Sequence, residues 1–352
     1  MNELKTYLQQ AAQSEASDLF LVAGGPVSLK LEGRLRPIGQ EKLLPPDTNR
    51  LITALYTLAE RPMDAYLATG DDDFSFSLPG LARFRVNTYR QRGSMAAVIR
   101  VVAFSIPDWK ALGIPEGVMA LSGLSHGLVL VTGTAGSGKS TTQACIIDQI
   151  NRSRDCHIIT LEDPIEFLHR NQRSIVSQRE IAIDTQDCLS ALRACLRQAP
   201  DVILLGEMRD TETIRTAMTA AETGHLVIST LHTNGTANAI DRMIDAFPAS
   251  QQAQARVQLS MVLETVVSQQ LIPSVDGTLL PVFELLHMNS ATRSLVREGK
   301  THQLTNAIAS GAESGMCTMD QSILARFRAG KISRETALNY ADHPEQLLRR
   351  MG

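Results

Sequence analysis

At roughly 150 residues per domain, a chain of 352 residues has room for two domains, and 43% hydrophobic against 20% charged residues is ordinary for a globular chain with a sizeable core. A formal net charge of −3 carries no basic excess of the kind that marks a nucleic-acid binder. No apolar run approaches the ~18 residues that cross a bilayer, Met1-Asn2-Glu3-Leu4-Lys5 is no signal peptide, and the scattered Cys145, Cys156, Cys188, Cys195 and Cys317 read as reduced, mostly buried cytoplasmic thiols, neither metal ligands nor a disulfide frame.

Residues 1–105 read as one mixed α/β unit. Asn2 to Ala16 has helical spacing through Leu4, Leu8, Ala11 and Ala12. Asp18 to Val22 and Ser28 to Leu31 read as short strands around a Gly24-Gly25-Pro26 turn. Pro45-Pro46-Asp47 opens a helix, with Asp47 or Thr48 as its expected cap. From Phe74 to Val102 the pattern alternates as strands do, broken at Pro79-Gly80.

Two prolines, Pro107 and Pro115, bracket a linker over 106–115. In 116–352 the apolar runs Leu128–Val131, His157–Leu161, Val202–Leu205 and Leu226–Thr230 alternate with helical patterns, which predicts a largely parallel sheet covered by helices. A long helix is expected from Gln251 to Gln270, and the last stretch of about 80 residues reads mostly helical.

The most informative segment follows the run Leu128–Val131: Gly133-Thr134-Ala135-Gly136-Ser137-Gly138-Lys139-Ser140, with Thr141 next. It fits the phosphate-loop pattern G-x-x-x-x-G-K-[ST] in its required context of strand, glycine turn and helix. Glycines let successive N–H groups converge on phosphate oxygens, and a helix N-terminus adds positive potential. Lys139 is placed to reach the β- and γ-phosphates of ATP, and the Ser140 hydroxyl to complete the shell of a Mg²⁺ ion.

Three further clusters suit phosphoryl chemistry. Val202–Leu205 ends in Gly206-Glu207, where a carboxylate at a strand tip acts as a second Mg²⁺ contact or positions water. His157–Leu161 ends in Glu162-Asp163-Pro164-Ile165-Glu166, acidic residues at the edge where open α/β sheets place ligands. His225 and His232 flank the run Leu226–Thr230 and are read either as ordinary core or surface histidines or, at the ligand-facing end of the sheet, as candidates for phosphate sensing or metal-shell contacts. In the first unit Arg83, Arg85, Arg90, Arg92 and Arg100 alternate through the strand pattern, either as a solvated face or as arginine fingers.

This order of motifs resembles the secretion ATPases of the type II/type IV pilus superfamily. The matching segments include Ala16-Ser17-Asp18-Leu19, Leu31-Glu32-Gly33, Arg83-Phe84-Arg85-Val86-Asn87, the phosphate loop, Leu161–Glu166, Pro200–Asp210, Ala221–His225 and Thr230–Thr233. Leu295–Lys300 and Thr318–Ser322 point within it to the retraction type of type IV pilus ATPase. Two departures from the usual pattern occur: Phe20 replaces a histidine, and Thr134-Ala135 replaces Pro-Thr. Assembly-type members carry a late four-cysteine zinc module, whereas here only Cys317 lies beyond Cys195.

The resemblance implies a PAS-like N-terminal domain (1–105) and a RecA-like ATPase domain with a helical C-terminal region (116–352). It implies a homohexameric ring with ATP bound between the two domains. Glu162 would activate water and Glu207 would hold Mg²⁺, while Arg85, Arg92 and Arg100 would stabilise charge on the γ-phosphate and His225 and His232 would form a sensing segment. The ring would work at the inner face of the cytoplasmic membrane on a pilus platform protein, beside sister pilus ATPases, and drive the pilus retraction that underlies twitching motility. Other readings remain open at this point: a nucleotide-gated scaffold without turnover or an accessory ATPase at a pilus or secretion base, a type II/IV secretion ATPase, and a metabolic kinase with a phosphate loop.

Overall fold

A computed structural model of the protein describes residues 2–14, 16–31, 33–102 and 105–351. Glu32, quoted in one motif, lies outside the described residues. The chain forms two compact units, Met1–Ser105 with Ile165–Leu168, and Ile106–Pro164 with His169–Gly352.

The first unit runs α1 (Asn2–Gln13), β1 (Asp18–Leu21), β2 (Ser28–Leu31), β3 (Arg34–Pro37), α2 (Pro45–Leu58), α3 (Asp64–Thr69), β4 (Asp71–Leu78), β5 (Ala82–Gln91) and β6 (Ser94–Val102). Its strands make an antiparallel sheet in the order β3-β2-β1-β6-β5-β4. Alternation decides the faces: Phe84 and Val86 are buried, and the intervening Arg83 and Arg85 point away from the core. Leu4 and Leu8 of α1 and Leu51, Ile52 and Leu55 of α2 join that core. The expected cap of α2 is corrected. Prolines at 45 and 46 are preset for a first helical turn and need no N–H partner there. The helix therefore starts at Pro45 with Leu44 as the capping residue, and the Asp47 carboxylate accepts the Leu44 N–H at 2.9 Å from inside the first turn. The exposed β3 and the short α3 have no counterpart in the sequence reading.

The second unit runs α4 (Glu116–Met119), β7 (Gly127–Thr132), α5 (Lys139–Ser153), β8 (His157–Glu162), β9 (Ile175–Glu180), α6 (Cys188–Cys195), β10 (Val202–Leu205), α7 (Thr211–Glu222), β11 (Leu226–Leu231), α8 (Thr236–Asp245) and α9 (Ala249–Val262). It closes with β12 (Leu263–Pro273), β13 (Leu279–His287), α10 (Ser290–Arg297), α11 (Leu304–Ser310), α12 (Met319–Arg328), α13 (Arg334–Tyr340) and α14 (Pro344–Met351). The sheet order is β13-β12-β7-β11-β10-β8-β9, parallel throughout except for the β12–β13 pair. Leu128 and Leu130 of β7 enter one hydrophobic core and Val129 and Val131 the other, so helices cover both faces. Mixed α/β architecture is what the sequence predicts.

The helix expected from Gln251 to Gln270 is also corrected. α9 ends at Val262, and residues from Leu263 on form β12, which pairs with β7 on one side and β13 on the other. The β-branched Thr265, Val266 and Val267 suit a pleated interior, and two flanking strands outweigh a helical reading of the same residues. β13 likewise interrupts the C-terminal stretch that reads as helical.

α7 is held open at its start by Asp210, whose carboxylate accepts the Thr213 N–H at 2.9 Å and the Thr213 hydroxyl at 2.7 Å. Burial alone would raise this carboxyl, but the bonds from Thr213 outweigh it and keep it below the usual carboxylate range. Because the folded-state value is depressed, the cap's stabilisation is present above the ordinary Asp range and is lost as pH falls through the folded value. Asp210→Ala is expected to cost about 1 kcal/mol at pH 7 in a denaturant melt. The gap between variant and parent should shrink on acidification.

Candidate functional site

β7 ends at Thr132 and α5 begins at Lys139, so the glycine-rich segment is the turn between them. Only glycine fits two of its positions. Gly133 has φ +144°, and a Cβ there would lie 2.3 Å from the Gln269 carbonyl oxygen and 2.6 Å from Ser137 Oγ. Gly138 has φ +87°, with Gln269 Nε2 2.8 Å from any added Cβ. The close wall is β12, and Gln269 also accepts the Thr142 hydroxyl at 2.7 Å, tying the first turn of α5 to that strand. Gln269 is a site residue the sequence reading missed, because it falls in the run taken for helix.

The Lys139 side chain turns back into the loop, where its ammonium donates to the carbonyls of Gly133 (2.9 Å) and Thr134 (2.8 Å). Thr134, Ala135 and Gly136 are exposed, Ser140 and Thr141 are half-buried, and Lys139 is 7% exposed. Ser137 Oγ, Thr132 Oγ1, Gln143 Nε2 and Thr233 Oγ1 are buried side-chain polar atoms without a hydrogen-bond partner. Two of these flank or sit in the loop, and buried polar atoms are ordinarily satisfied. A charged lysine, a two-glycine backbone cradle and these polar atoms at the start of a helix of 15 residues suit a phosphate group.

The register sets the depth of the acidic tips. Leu161, Leu205, Ser229 and Leu130 lie level across β8, β10, β11 and β7. Glu162 and Glu207 thus leave the same edge of the sheet as the phosphate loop, β10 two strands (about 10 Å) and β8 three strands (about 14 Å) from β7. Gly206 passes close to β8, where a Cβ would lie 3.4 Å from the Leu161 carbonyl oxygen. The Thr230 hydroxyl donates to the Gly206 carbonyl at 2.5 Å, which anchors Glu207 beside β11. Glu207 pairs with Arg209 through one oxygen, and His232 Nε2 lies 3.4 Å from the other. Glu162 accepts the Thr160 hydroxyl at 2.6 Å and the Gln178 amide at 3.2 Å. Asp163 and Glu166 are exposed.

His232 and Glu207 thus meet, but His225 does not join them. The expectation that both histidines lie at the ligand-facing end is corrected. His225 precedes β11, its carbonyl accepts the N–H of Gly127 at the start of β7, and its Nδ1 lies 2.9 Å from the Ala220 carbonyl. The six residues of β11 separate it from the loop edge by about 20 Å. The three arginines of the first unit also fail to form one cluster. Arg85 stands directly opposite Arg100, which donates to Asp18 Oδ1 at 3.1 Å. Arg92 is exposed in the tight turn joining β5 and β6, where it and Gly93 both have positive φ. At about 3.4 Å per residue, the run from Arg85 to Arg92 along β5 spans on the order of 20 Å.

Among the described residues no helix is long and apolar enough to cross a membrane, and no group of three or more metal-ligating side chains is present. All five cysteines are free thiols. Burial pushes Cys145, Cys188 and Cys195 up to about 11.

The family model described as type II/IV secretion system protein matches residues 1–279. The chain is 43% identical to the type IV pilus retraction ATPase PilT of Pseudomonas aeruginosa, over 97% of this chain and 99% of that one. It is 41% identical to a twitching motility protein of Neisseria gonorrhoeae, over 91% and 85% of the two chains. A crystal structure of the pilus retraction motor PilT with bound ADP superposes with a TM-score of 0.89 at 42% identity, covering 98% of each chain. Its glycine loop, its acidic strand tips and these likenesses together show that the chain belongs to the type II/IV secretion system protein family.

Proposed function

We infer that the protein is an ATP hydrolase that powers retraction of type IV pili. The observation that carries this is that a phosphate loop and the segments bearing Glu162 and Glu207 leave the same edge of a parallel sheet. The likeness to a retraction ATPase over nearly its whole length supplies the mechanical task.

In this reading Lys139 and the loop amides from Gly133 to Ser140, with Thr141, bind the phosphates of ATP. Ser140 and Glu207 offer oxygen ligands that would hold a Mg²⁺ ion, which would supply charge neutralisation at the β- and γ-phosphates. Glu162 takes the proton of a water whose oxygen bonds to the γ-phosphorus as the bond to the β,γ-bridging oxygen breaks. His232, in contact with Glu207, senses the terminal phosphate. Arg85 and Arg100, which face each other across β5 and β6, are proposed to stabilise γ-phosphate charge, whereas Arg92 stands about 20 Å along β5 from Arg85 and could act on a phosphate only apart from that pair. Their alanine variants test the Arg85–Arg100 pair separately from Arg92.

The motor is proposed to assemble as a ring of six copies and to act from the cytoplasm on a membrane-embedded pilus platform protein, with sister pilus ATPases as further partners. The test is Mg²⁺-dependent phosphate release by the purified protein, with particle mass measured in the same buffer. Glu162→Gln and Glu207→Gln are each expected to lower kcat by at least about 100-fold, in particles near six protomers. Parental turnover in both variants would sink the site assignment, and a monomeric active parent would sink the ring.

A further inference from the structure

We propose that Gln178, together with Thr160, is a positioning residue that orients the Glu162 carboxylate toward the attacking water. The proposal rests on the reading of Glu162 as the proton acceptor. Thr160 and Glu162 are two apart on β8 and so share a face of the strand. Gln178, on the neighbouring parallel strand β9, stands in register with Thr160. The three side chains meet: the Thr160 hydroxyl and the Gln178 amide both donate to Oε1 of Glu162, at 2.6 and 3.2 Å.

The direction of the Gln178 amide is set by its other end. Its Oε1 accepts the backbone N–H of His169 at 2.8 Å, so the NH₂ group is the end turned to Glu162. The His169 ring adds no charge beside this network, because burial pushes it down to about 4 and it is neutral at physiological pH. Thr160 is fully buried and has little freedom to turn away. Two donors on one carboxylate oxygen restrict rotation of the group. A base that must face a water within hydrogen-bond reach needs that fixed direction.

The variants separate positioning from packing. Gln178→Glu keeps an acceptor for the His169 N–H but sets a second carboxylate against Glu162, and should lower kcat about tenfold or more, since adjacent carboxylates cannot both ionise freely. Thr160→Val keeps the shape of the side chain and removes the donor, with an expected loss of kcat of about fivefold. Thr160→Ser restores the hydroxyl and should return kcat to within about twofold of the parent. In each case KM for ATP and the affinity for ADP should stay within about twofold of the parent, because the effect falls on the chemical step.

The measurement is steady-state hydrolysis by the full chain, with ADP titrations beside it and Glu162→Gln as reference. Parental kcat in Gln178→Glu, failure of Thr160→Ser to rescue, or a parallel loss of ADP affinity would overturn the positioning role. Loss of turnover in Glu162→Gln with parental kcat in Gln178→Glu would overturn this proposal alone. Parental turnover in Glu162→Gln would overturn it together with the base assignment.

Discussion

Lys139→Ala is expected to weaken ATP binding by at least about 100-fold and to remove measurable hydrolysis. The ammonium is the one positive side chain within the loop itself, and its bonds to the Gly133 and Thr134 carbonyls hold it inside the turn. Alanine removes both the charge that would face the phosphates and those two anchors. The loop backbone should survive, because the positive φ values of Gly133, Gly136 and Gly138 and the wall of β12 shape it independently of the lysine. Titration with a fluorescent ATP analogue, with a thermal melt alongside, checks this. Tight binding in a well-folded variant would mean that this loop is not the nucleotide site.

Gly133→Ala should be as damaging, for a steric reason. Its Cβ would fall 2.3 Å from a backbone oxygen of β12, which no side-chain rotation relieves, at a φ that L-residues rarely adopt. The combined overlap and strain is expected to cost about 3 kcal/mol or more. Relief requires the loop to leave β12, which would also remove its anion-binding shape. Gly136→Ala is the control: at φ +77° with nothing within 4 Å of the new methyl, it carries strain alone, about 1 kcal/mol. Denaturant melts and ADP titrations of the two variants should differ sharply. Equal effects would show that close packing against Gln269 does not govern the loop.

Much of the site was legible in the residues. A phosphate loop is a local object: its glycines and lysine act through backbone within a few residues, so an eight-residue pattern suffices to read it. The strands ending in Glu162 and Glu207 were legible for the same reason, since apolar β-branched runs bounded by polar tips describe buried parallel strands. Two local signals misled. Pro45-Pro46 starts α2 earlier than the capping side chains suggest. The run from Gln251 to Gln270 conceals a change from helix to strand at Leu263.

From the residues alone one reads a mixed α/β chain, its nucleotide loop and two acidic strand tips, because each is written in neighbours along the backbone. Folding alone decides which of those features meet. Strand direction brings His232 to Glu207 and sends His225 to the far edge, and the length of β5 parts Arg85 from Arg92. Pairing with β7 makes β12 a strand and sets Gln269 against the loop, and pairing of β8 with β9 brings Gln178 to Glu162. These are contacts between segments distant in sequence, fixed by register and burial, and no periodicity within one segment encodes its partner.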